Sequence, residues 1–300
     1  MILMVSGRCD IVAFYTKWFI NRYREGYVDV RNPFNPKLVS RINFNDVDLI
    51  MFCTKNPSPI IPYLNEINKP ILFHVTLTSY NKDIEPNVPD KKKVIEAIKE
   101  ISKIIGVDNI NIRYDPILIN NKYTVDYHIK AFDKLCKLLN GYTKHIIISF
   151  IDIYKNVVNN SKYLNLSDIT EEDYKKIGLS FSKIAKENNM TVQTCFEDNT
   201  LEEYGFIKED CLSATLAYKL IGKIFDIQTA RKEKKCHCVK MVDIGVYNSC
   251  KHLCKYCYAN FDELKIDDNI IKHNPHSSLL IGELKNDDII KERYKWVSFF

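Results

Sequence analysis

The chain has 300 residues, and 43 lysines and arginines against 38 aspartates and glutamates give a formal net charge of +5. Hydrophobic residues make up 46% and charged residues 27% of it, which are ordinary globular values and exclude a disordered chain. No apolar run reaches the roughly 18 residues that a membrane span needs. The start Met1–Val5 is too short for a secretory leader and lacks its basic flank. We therefore expect a cytoplasmic protein without a membrane partner.

The absence of several sequence motifs excludes the enzyme classes that need them. The nine glycines form neither a dinucleotide-binding nor a phosphate-binding loop. No metalloprotease or serine hydrolase motif occurs. The informative feature is the set of ten cysteines. In a cytosolic protein, clustered cysteines indicate metal ligands or redox groups rather than disulfides.

In chain order, short apolar runs that predict buried strands alternate with amphipathic runs that predict helices. The strands are expected at Ile2–Ser6, Val47–Cys53, Ile71–Thr78, Ile110–Tyr114, Ile146–Ile151 and Thr191–Phe196. The helices are expected at Ile11–Glu25, between Asp90 and Gly106, between Thr124 and Gly141, from Thr170 through Ile184 and, more briefly, within Pro59–Asn68.

This alternation predicts an α/β fold with a parallel sheet and right-handed crossovers. We expect a TIM-like (β/α) barrel or partial barrel of six or more parallel strands, with an open doubly wound sheet as the alternative. Residues 1–230 would form the barrel-like domain. Residues 231–300, which begin with the basic segment Arg231–Lys235, would form a cysteine-rich extension that folds over the barrel mouth as part of the same unit.

Charged residues follow several of the predicted strands, where the site of a parallel barrel lies. Arg8, Asp10, Lys55, Arg113 and Asp115 are the candidates for a pocket that binds a polar small molecule. The simpler alternative is that Asp10 caps its helix and that Arg113 pairs with Asp115.

The cysteines Cys250, Cys254 and Cys257 form a C-x3-C-x2-C motif, with Tyr256 before the third. Three thiolates at this spacing fit a four-iron, four-sulfur (4Fe-4S) cluster and leave one iron without a protein ligand. The alternative is a zinc site that His252 or another cysteine completes.

Four further cysteines could converge on a second metal. They are Cys195, Cys211, Cys236 and Cys238, of which Cys211 is expected at the start of a short helix that ends before Gly222. Four thiolates suit either an auxiliary iron–sulfur cluster, which we favour, or structural zinc. Of the remaining cysteines, Cys53 and Cys136 are expected to pack in the core, and Cys9 could act as a hydrogen-atom donor.

The motif with its tyrosine resembles the signature of radical S-adenosylmethionine (SAM) enzymes. The resemblance implies that SAM binds the open iron and that an electron from the cluster cleaves it to a 5′-deoxyadenosyl radical. A donor such as flavodoxin or ferredoxin would supply the electron. Enzymes of this class use full or partial (β/α) barrels, in agreement with the predicted strands.

More closely, the chain from residue 1 to about residue 282 resembles the DUF1848 family of bacterial proteins. The phrases that carry the likeness are Ser6–Tyr15, Arg31–Pro36, Thr54–Pro57, Arg113–Ile117, Gln193–Cys195, Asp243–Cys250 and Cys257–Asn260. The family carries cysteines at all four positions of the second set. The resemblance implies a radical-SAM-like cluster site but no particular substrate, so a small molecule, a peptide and a nucleic acid all remain possible.

Two features depart from the radical SAM pattern. The motif follows the sixth predicted strand instead of the first, which requires a permuted arrangement, and no Gly-Gly-Glu segment is present to hold the SAM amino group. The polar residues at the strand ends would have to replace it. Two other functions stay open: a zinc-stabilised barrel that binds a ligand without redox chemistry, and an iron–sulfur electron-transfer protein that does not use SAM.

Overall fold

The computed structural model describes residues 1–198, 200–227 and 236–294. Within these ranges the chain forms an α/β fold around a seven-stranded parallel sheet. The expected boundary after residue 230 and the basic segment Arg231–Lys235 lie outside the described residues.

The strands divide into a large parallel sheet and a small mixed one. In chain order they are β1 (Ile2–Val5), β2 (Tyr27–Arg31), β3 (Leu38–Asn43), β4 (Leu49–Thr54), β5 (Ile71–Thr76), β6 (Ile110–Ile117), β7 (His145–Phe150), β8 (Thr191–Thr194), β9 (Met241–Asp243) and β10 (Ile289–Glu292). The large sheet has the order β8-β7-β6-β5-β4-β1-β9, and the small one has the order β10-β3-β2.

All six predicted strands are confirmed, and each pairs in parallel with its neighbours in the large sheet. From β1 to β8 they follow chain order across the sheet. Because the strands are parallel, their carboxyl ends meet at one edge, which is where α/β proteins place their sites. Among the described residues no ladder joins the two edge strands, β8 and β9.

The strand prediction was incomplete at β9, which comes from the cysteine-rich extension. Its three residues pair in parallel with β1, so that Met241 faces Ile2 and Asp243 faces Met4. This pairing joins the extension to the sheet immediately before the cysteine motif. The antiparallel pair β2 and β3 was missed as well.

Helices cover the connections between strands. They are α1 (Ile11–Phe14), α2 (Thr16–Glu25), α3 (Lys91–Ile105), α4 (Val125–Leu139), α5 (Lys155–Asn159), α6 (Ser161–Leu164), α7 (Glu171–Glu187), α8 (Ala214–Ile221) and α9 (Glu263–Ile271). The side chains of Asp10, Asp90, Thr124 and Thr170 accept the capping hydrogen bonds of α1, α3, α4 and α7. No helix in the described part of the chain combines the length and apolarity that crossing a bilayer requires.

Two helix predictions need correction. The single helix expected over Ile11–Glu25 is divided at Tyr15, whose φ of −132° is not helical. The segment within Pro59–Asn68 is a 3-10 helix over Ser58–Glu66 that contains Pro62. Because Pro62 has no N–H to donate, the segment cannot form an unbroken α-helical ladder of hydrogen bonds.

Buried His128 on α4 gives the fold a defined acid sensitivity. Its Nδ1 lies 2.8 Å from the hydroxyl of Tyr114, and its Nε2 lies 2.9 Å from the carbonyl oxygen of Leu118. Burial lowers the pKa of His128 to about 4, from 6.5. The neutral imidazole is therefore the native form at neutral pH.

The free energy of unfolding should fall as the pH drops from about 6.5 to 4. Over this range His128 takes up a proton in the unfolded chain but stays neutral in the folded protein. The contribution of this group is up to about 3 kcal/mol. We expect His128→Gln, which stays neutral, to flatten this decline in denaturant unfolding measured across that pH range. His276→Gln, at an exposed histidine, is the control. An unchanged pH slope in His128→Gln would contradict the assignment.

Candidate functional site

The cysteine motif lies against loops that follow strands of the parallel sheet. Asparagine side chains from the β5 and β7 connections donate to main-chain oxygens on either side of the motif cysteines. These bonds run from Asn87 Nδ2 to Lys251 O (2.8 Å), from Asn156 Nδ2 to Cys257 O (3.1 Å) and from Asn160 Nδ2 to Lys255 O (2.8 Å). The hydroxyl of Tyr258 donates to the carbonyl oxygen of Gly7, which follows β1. The motif is thus held at the carboxyl edge of the sheet.

Of the motif cysteines, Cys250 and Cys254 are buried and Cys257 is partly exposed, and hydrogen bonds hold their loop. Cys250 and Cys254 are each 8% exposed. The side-chain amide of Asn260 forms two hydrogen bonds with the main chain of Cys250. Its oxygen accepts from the N–H of Cys250 at 3.4 Å, and its nitrogen donates to the carbonyl oxygen of Cys250. The N–H of Ala259 points at Cys257 Sγ, 3.4 Å away. Amide donors to sulfur are typical of thiolates that bind a metal.

The three motif sulfurs do not all lie within 4.8 Å of one another in the described residues. Thiolates on a tetrahedral zinc lie about 3.8 Å apart. Among the described residues, the ligand-type side chains found together within 4.8 Å are Asp210, Cys236 and Cys238, and the motif cysteines form no such group. His252 does not complete a zinc site either, because its Nε2 lies 2.9 Å from Asp10 and its Nδ1 lies 3.4 Å from the carbonyl oxygen of Asn87.

Asp10 joins the β1 loop, the end of β4 and the cysteine motif. Its Oδ1 accepts from Ala13 N (2.9 Å) and Thr54 Oγ1 (2.7 Å). Its Oδ2 accepts from Lys55 N (2.7 Å) and from Nε2 of buried His252 (2.9 Å). Asp10 is therefore both the predicted helix cap and the anchor of the motif. The partner His252 was missed as a functional residue, although its position between two motif cysteines was a signal.

Glu85, in the β5–α3 connection, is a second anchor that the sequence did not reveal. Its buried carboxylate accepts from Lys55 Nζ at 2.8 Å and from Thr78 Oγ1 at 2.7 Å. It also accepts from Lys91 and from the hydroxyl of Tyr256. Burial alone would raise the pKa of Glu85, but the ammonium groups of Lys55 and Lys91 outweigh it and hold that pKa below its usual range.

This arrangement leaves an unbalanced positive charge beside the motif. Two lysines, Lys55 and Lys91, share the one carboxylate of Glu85. Burial, together with Glu85 and Cys257, raises the pKa of the Cys254 thiol, and the two ammonium groups offset only part of that rise.

Arg8 is paired with β9. Its Nη2 donates to the main-chain oxygen of Asp243 at 2.6 Å, and the Asp243 carboxylate accepts from Ser6 Oγ at 2.6 Å. A Cβ at Gly245 would lie 1.8 Å from Ser6 Oγ, so this close approach of the two segments requires glycine. These contacts hold in place the start of the segment that leads from β9 to the cysteine motif.

Arg113 and Asp115 lie at the second set of cysteines. Arg113 Nη2 pairs with Asp115 Oδ2 at 2.5 Å, and Nη1 donates to Cys211 Sγ at 3.1 Å. All five predicted charged residues thus have partners within the chain, because buried charges need them. The structure brings Asp10 and Lys55 to the motif, places Arg8 against β9 and places Arg113 beside Cys211 of the other cysteine group. Asp115 pairs with Arg113 and is also close enough to act on the charge of Lys55.

The second set of cysteines comes together. Cys195 Sγ and Cys211 Sγ are 2.7 Å apart, Cys211 shares a hydrogen bond with Cys238, and Cys238 shares one with Cys236. The bond with Cys238 lowers the pKa of Cys236 to about 7. Helix α8 begins only at Ala214, so Cys211 precedes the helix that was expected to start there.

None of the other three cysteines belongs to either group, but Cys9 lies beside the motif, where it shares a hydrogen bond with Ser249. Cys136 packs on α4 and Cys53 on β4, and burial raises the pKa of each thiol to about 12. Cys9, 8% exposed, follows β1, and burial raises its pKa to about 12 as well.

Glu85→Gln should destabilise the protein by about 3 kcal/mol, the low end of the cost of breaking a buried ion pair, because it leaves two partly buried ammonium groups without their carboxylate. The matched control is Glu66→Gln, which removes the exposed pair with Arg24 and should cost less than about 1 kcal/mol. Denaturant unfolding of both variants measures the difference. Equal effects would contradict the role given to Glu85.

Comparison with known proteins identifies a family. A search of curated proteins finds no match. Among solved structures, the N-terminally His-tagged D-allulose 3-epimerase from Methylomonas sp. aligns with 65% of this chain and 82% of its own, at 8% identity and a TM-score of 0.33, too low to support an argument. The family model described as domain of unknown function DUF1848 matches residues 2–259. The chain therefore belongs to the DUF1848 family.

Proposed function

We propose that this protein is a radical-SAM-like iron–sulfur enzyme of the cytoplasm, in which Cys250, Cys254 and Cys257 hold a 4Fe-4S cluster that binds SAM. The observation that carries the proposal is the position of the three motif thiols. They lie in one loop at the carboxyl edge of a parallel sheet, and they do not all fall within 4.8 Å of one another.

The strand before the motif supports a permuted radical SAM arrangement. In most such enzymes the motif follows the first strand. Here it follows β9, which is the parallel neighbour of β1. The loop after β9 and the loop after β1 therefore meet at one place on the sheet edge. In the proposed fold the sheet is a partial (β/α) barrel and the extension covers its mouth.

The charge near Cys254 fits a cluster with three protein ligands. An oxidised four-iron core carries two positive charges, so three thiolates leave the whole with one negative charge. Lys55, Lys91 and Glu85 together supply one positive charge. The N–H of Ala259 would stabilise the thiolate of Cys257.

When bound, the cluster and SAM supply radical chemistry, and the protein positions the reactants and excludes water. The bonds from His252 to Asp10 and from Tyr256 to Glu85 orient the motif between two fixed anchors. Lys55 lies 5.4 Å from the ring centre of Tyr256, where its ammonium group could attract the SAM carboxylate. A reduced flavodoxin or ferredoxin would donate the electron, and the substrate would be a small molecule, a peptide or a nucleic acid.

Cys254→Ala should lose about four irons per chain after anaerobic reconstitution and should no longer cleave SAM reductively. Cys136→Ala, at a buried cysteine on α4, is the matched control and should keep both properties. Iron and sulfide analysis and chromatography of the SAM products are the measurements. A Cys254→Ala protein that still cleaves SAM would refute the proposal.

Calorimetric titration with SAM distinguishes the proposed enzyme from an electron-transfer protein that does not use SAM. The proposed function predicts SAM binding to the reconstituted wild type and none to Cys254→Ala. A wild-type protein that holds the cluster without binding SAM would be an electron-transfer protein instead.

A further inference from the structure

We infer that Cys195, Cys211, Cys236 and Cys238 bind a single tetrahedral zinc ion and not a second iron–sulfur cluster. This four-cysteine site is separate from the motif, and the inference does not depend on the proposed radical chemistry. It rests on how closely the sulfurs approach one another and on how the main chain holds them.

The sulfurs form one continuous group. Cys195 and Cys211 are 2.7 Å apart, and hydrogen bonds continue from Cys211 to Cys238 and from Cys238 to Cys236. Cys236 and Cys238 also lie within 4.8 Å of each other and of the Asp210 carboxylate. Among these four described cysteines no three sulfurs all lie within 4.8 Å of one another, so the side chains must move for the four thiolates to reach the spacing of about 3.8 Å in a tetrahedral zinc site.

A cluster requires a different arrangement. In a four-iron cluster each cysteine binds a different iron, so neighbouring sulfurs cannot be in contact. A two-iron cluster would hold two pairs, each on its own iron, and would separate them, whereas Cys211 and Cys238 bridge the pairs here. The contact between Cys195 and Cys211 and the hydrogen bond between Cys211 and Cys238 therefore favour a single ion over a cluster at this site.

Main-chain bonds hold the ligand segments together without a metal. The N–H of Cys195 donates to Ile148 O at 2.8 Å, beside the end of β8. The N–H of Val239 donates to Leu212 O at 3.0 Å, which pairs the Cys236–Cys238 segment with the segment that contains Cys211. A zinc ion here would fasten the extension to β8 and thereby help to place β9.

Two neighbours act as positioning residues. Arg113 donates to Cys211 Sγ at 3.1 Å and would offset part of the negative charge of four thiolates on zinc. Asp210 Oδ1 accepts from the N–H of His237 at 3.0 Å, so its carboxylate holds the Cys236–Cys238 turn. We assign the four thiolates, and not Asp210, as the zinc ligands.

The decisive experiment uses the full chain with Cys250→Ala, Cys254→Ala and Cys257→Ala combined, which removes the motif and leaves the four-cysteine site. After anaerobic reconstitution with iron, sulfide and zinc, we expect about one zinc per chain and no bound iron. About four or two irons with matching sulfide would overturn the inference. Loss of iron from the motif tests the proposed function separately, since it leaves the zinc content unchanged.

Cobalt substitution, first in the wild-type chain and then in variants, provides a second test. Co²⁺ in place of zinc should give the intense visible bands and the sulfur-to-metal charge-transfer bands of a tetrahedral thiolate site. Asp210→Asn and Cys136→Ala should keep the zinc, and Cys238→Ser should lose it. Loss of zinc in Asp210→Asn, or a Cys195–Cys211 disulfide in a metal-free protein, would overturn the assignment.

Discussion

The site depends on one buried carboxylate, that of Asp10. It caps α1, accepts from the end of β4 and receives the ring N–H of His252, which lies inside the cysteine motif. Residues at opposite ends of the sequence are thereby fixed at one point. Removing water from a charged carboxylate is costly unless hydrogen bonds replace the lost solvation. Each of these donors is therefore required, and the motif cannot move independently of the β1 loop.

The two groups of cysteines differ in a way that follows from their surroundings. The motif lies beside Lys55 and Lys91, which both pair with Glu85. Its sulfurs belong to one loop, and asparagine side chains donate hydrogen bonds to several main-chain oxygens of that loop. The four-cysteine site instead draws sulfurs from three segments into direct contact. In the proposed account the motif holds a cluster that performs chemistry, and the contacting sulfurs of the second group hold an ion that fastens the extension to the sheet.

Most strands and helices of the large sheet could be predicted from the sequence, because burial and helix capping leave local patterns. Features that depend on contacts between distant residues could not. Strands buried on both faces, such as β4 and β5, appear as continuous apolar runs, and the caps Asp90 and Thr170 mark where helices begin. Strand β9 has only three residues, too few to show an alternation of apolar and polar side chains. It is a strand because it pairs with β1. Glu85 and His252 could not be assigned in advance, because a single charged or polar residue acquires its role from tertiary neighbours.

The most direct test of the central claim is electron paramagnetic resonance of the anaerobically reconstituted, dithionite-reduced protein, recorded with and without SAM. The proposed function predicts the signal of a reduced four-iron cluster and a clear change in that signal when SAM is added, because SAM would bind the iron that lacks a protein ligand. A cluster signal that SAM leaves unchanged would contradict SAM binding. A protein that takes up zinc but no iron would contradict the cluster itself.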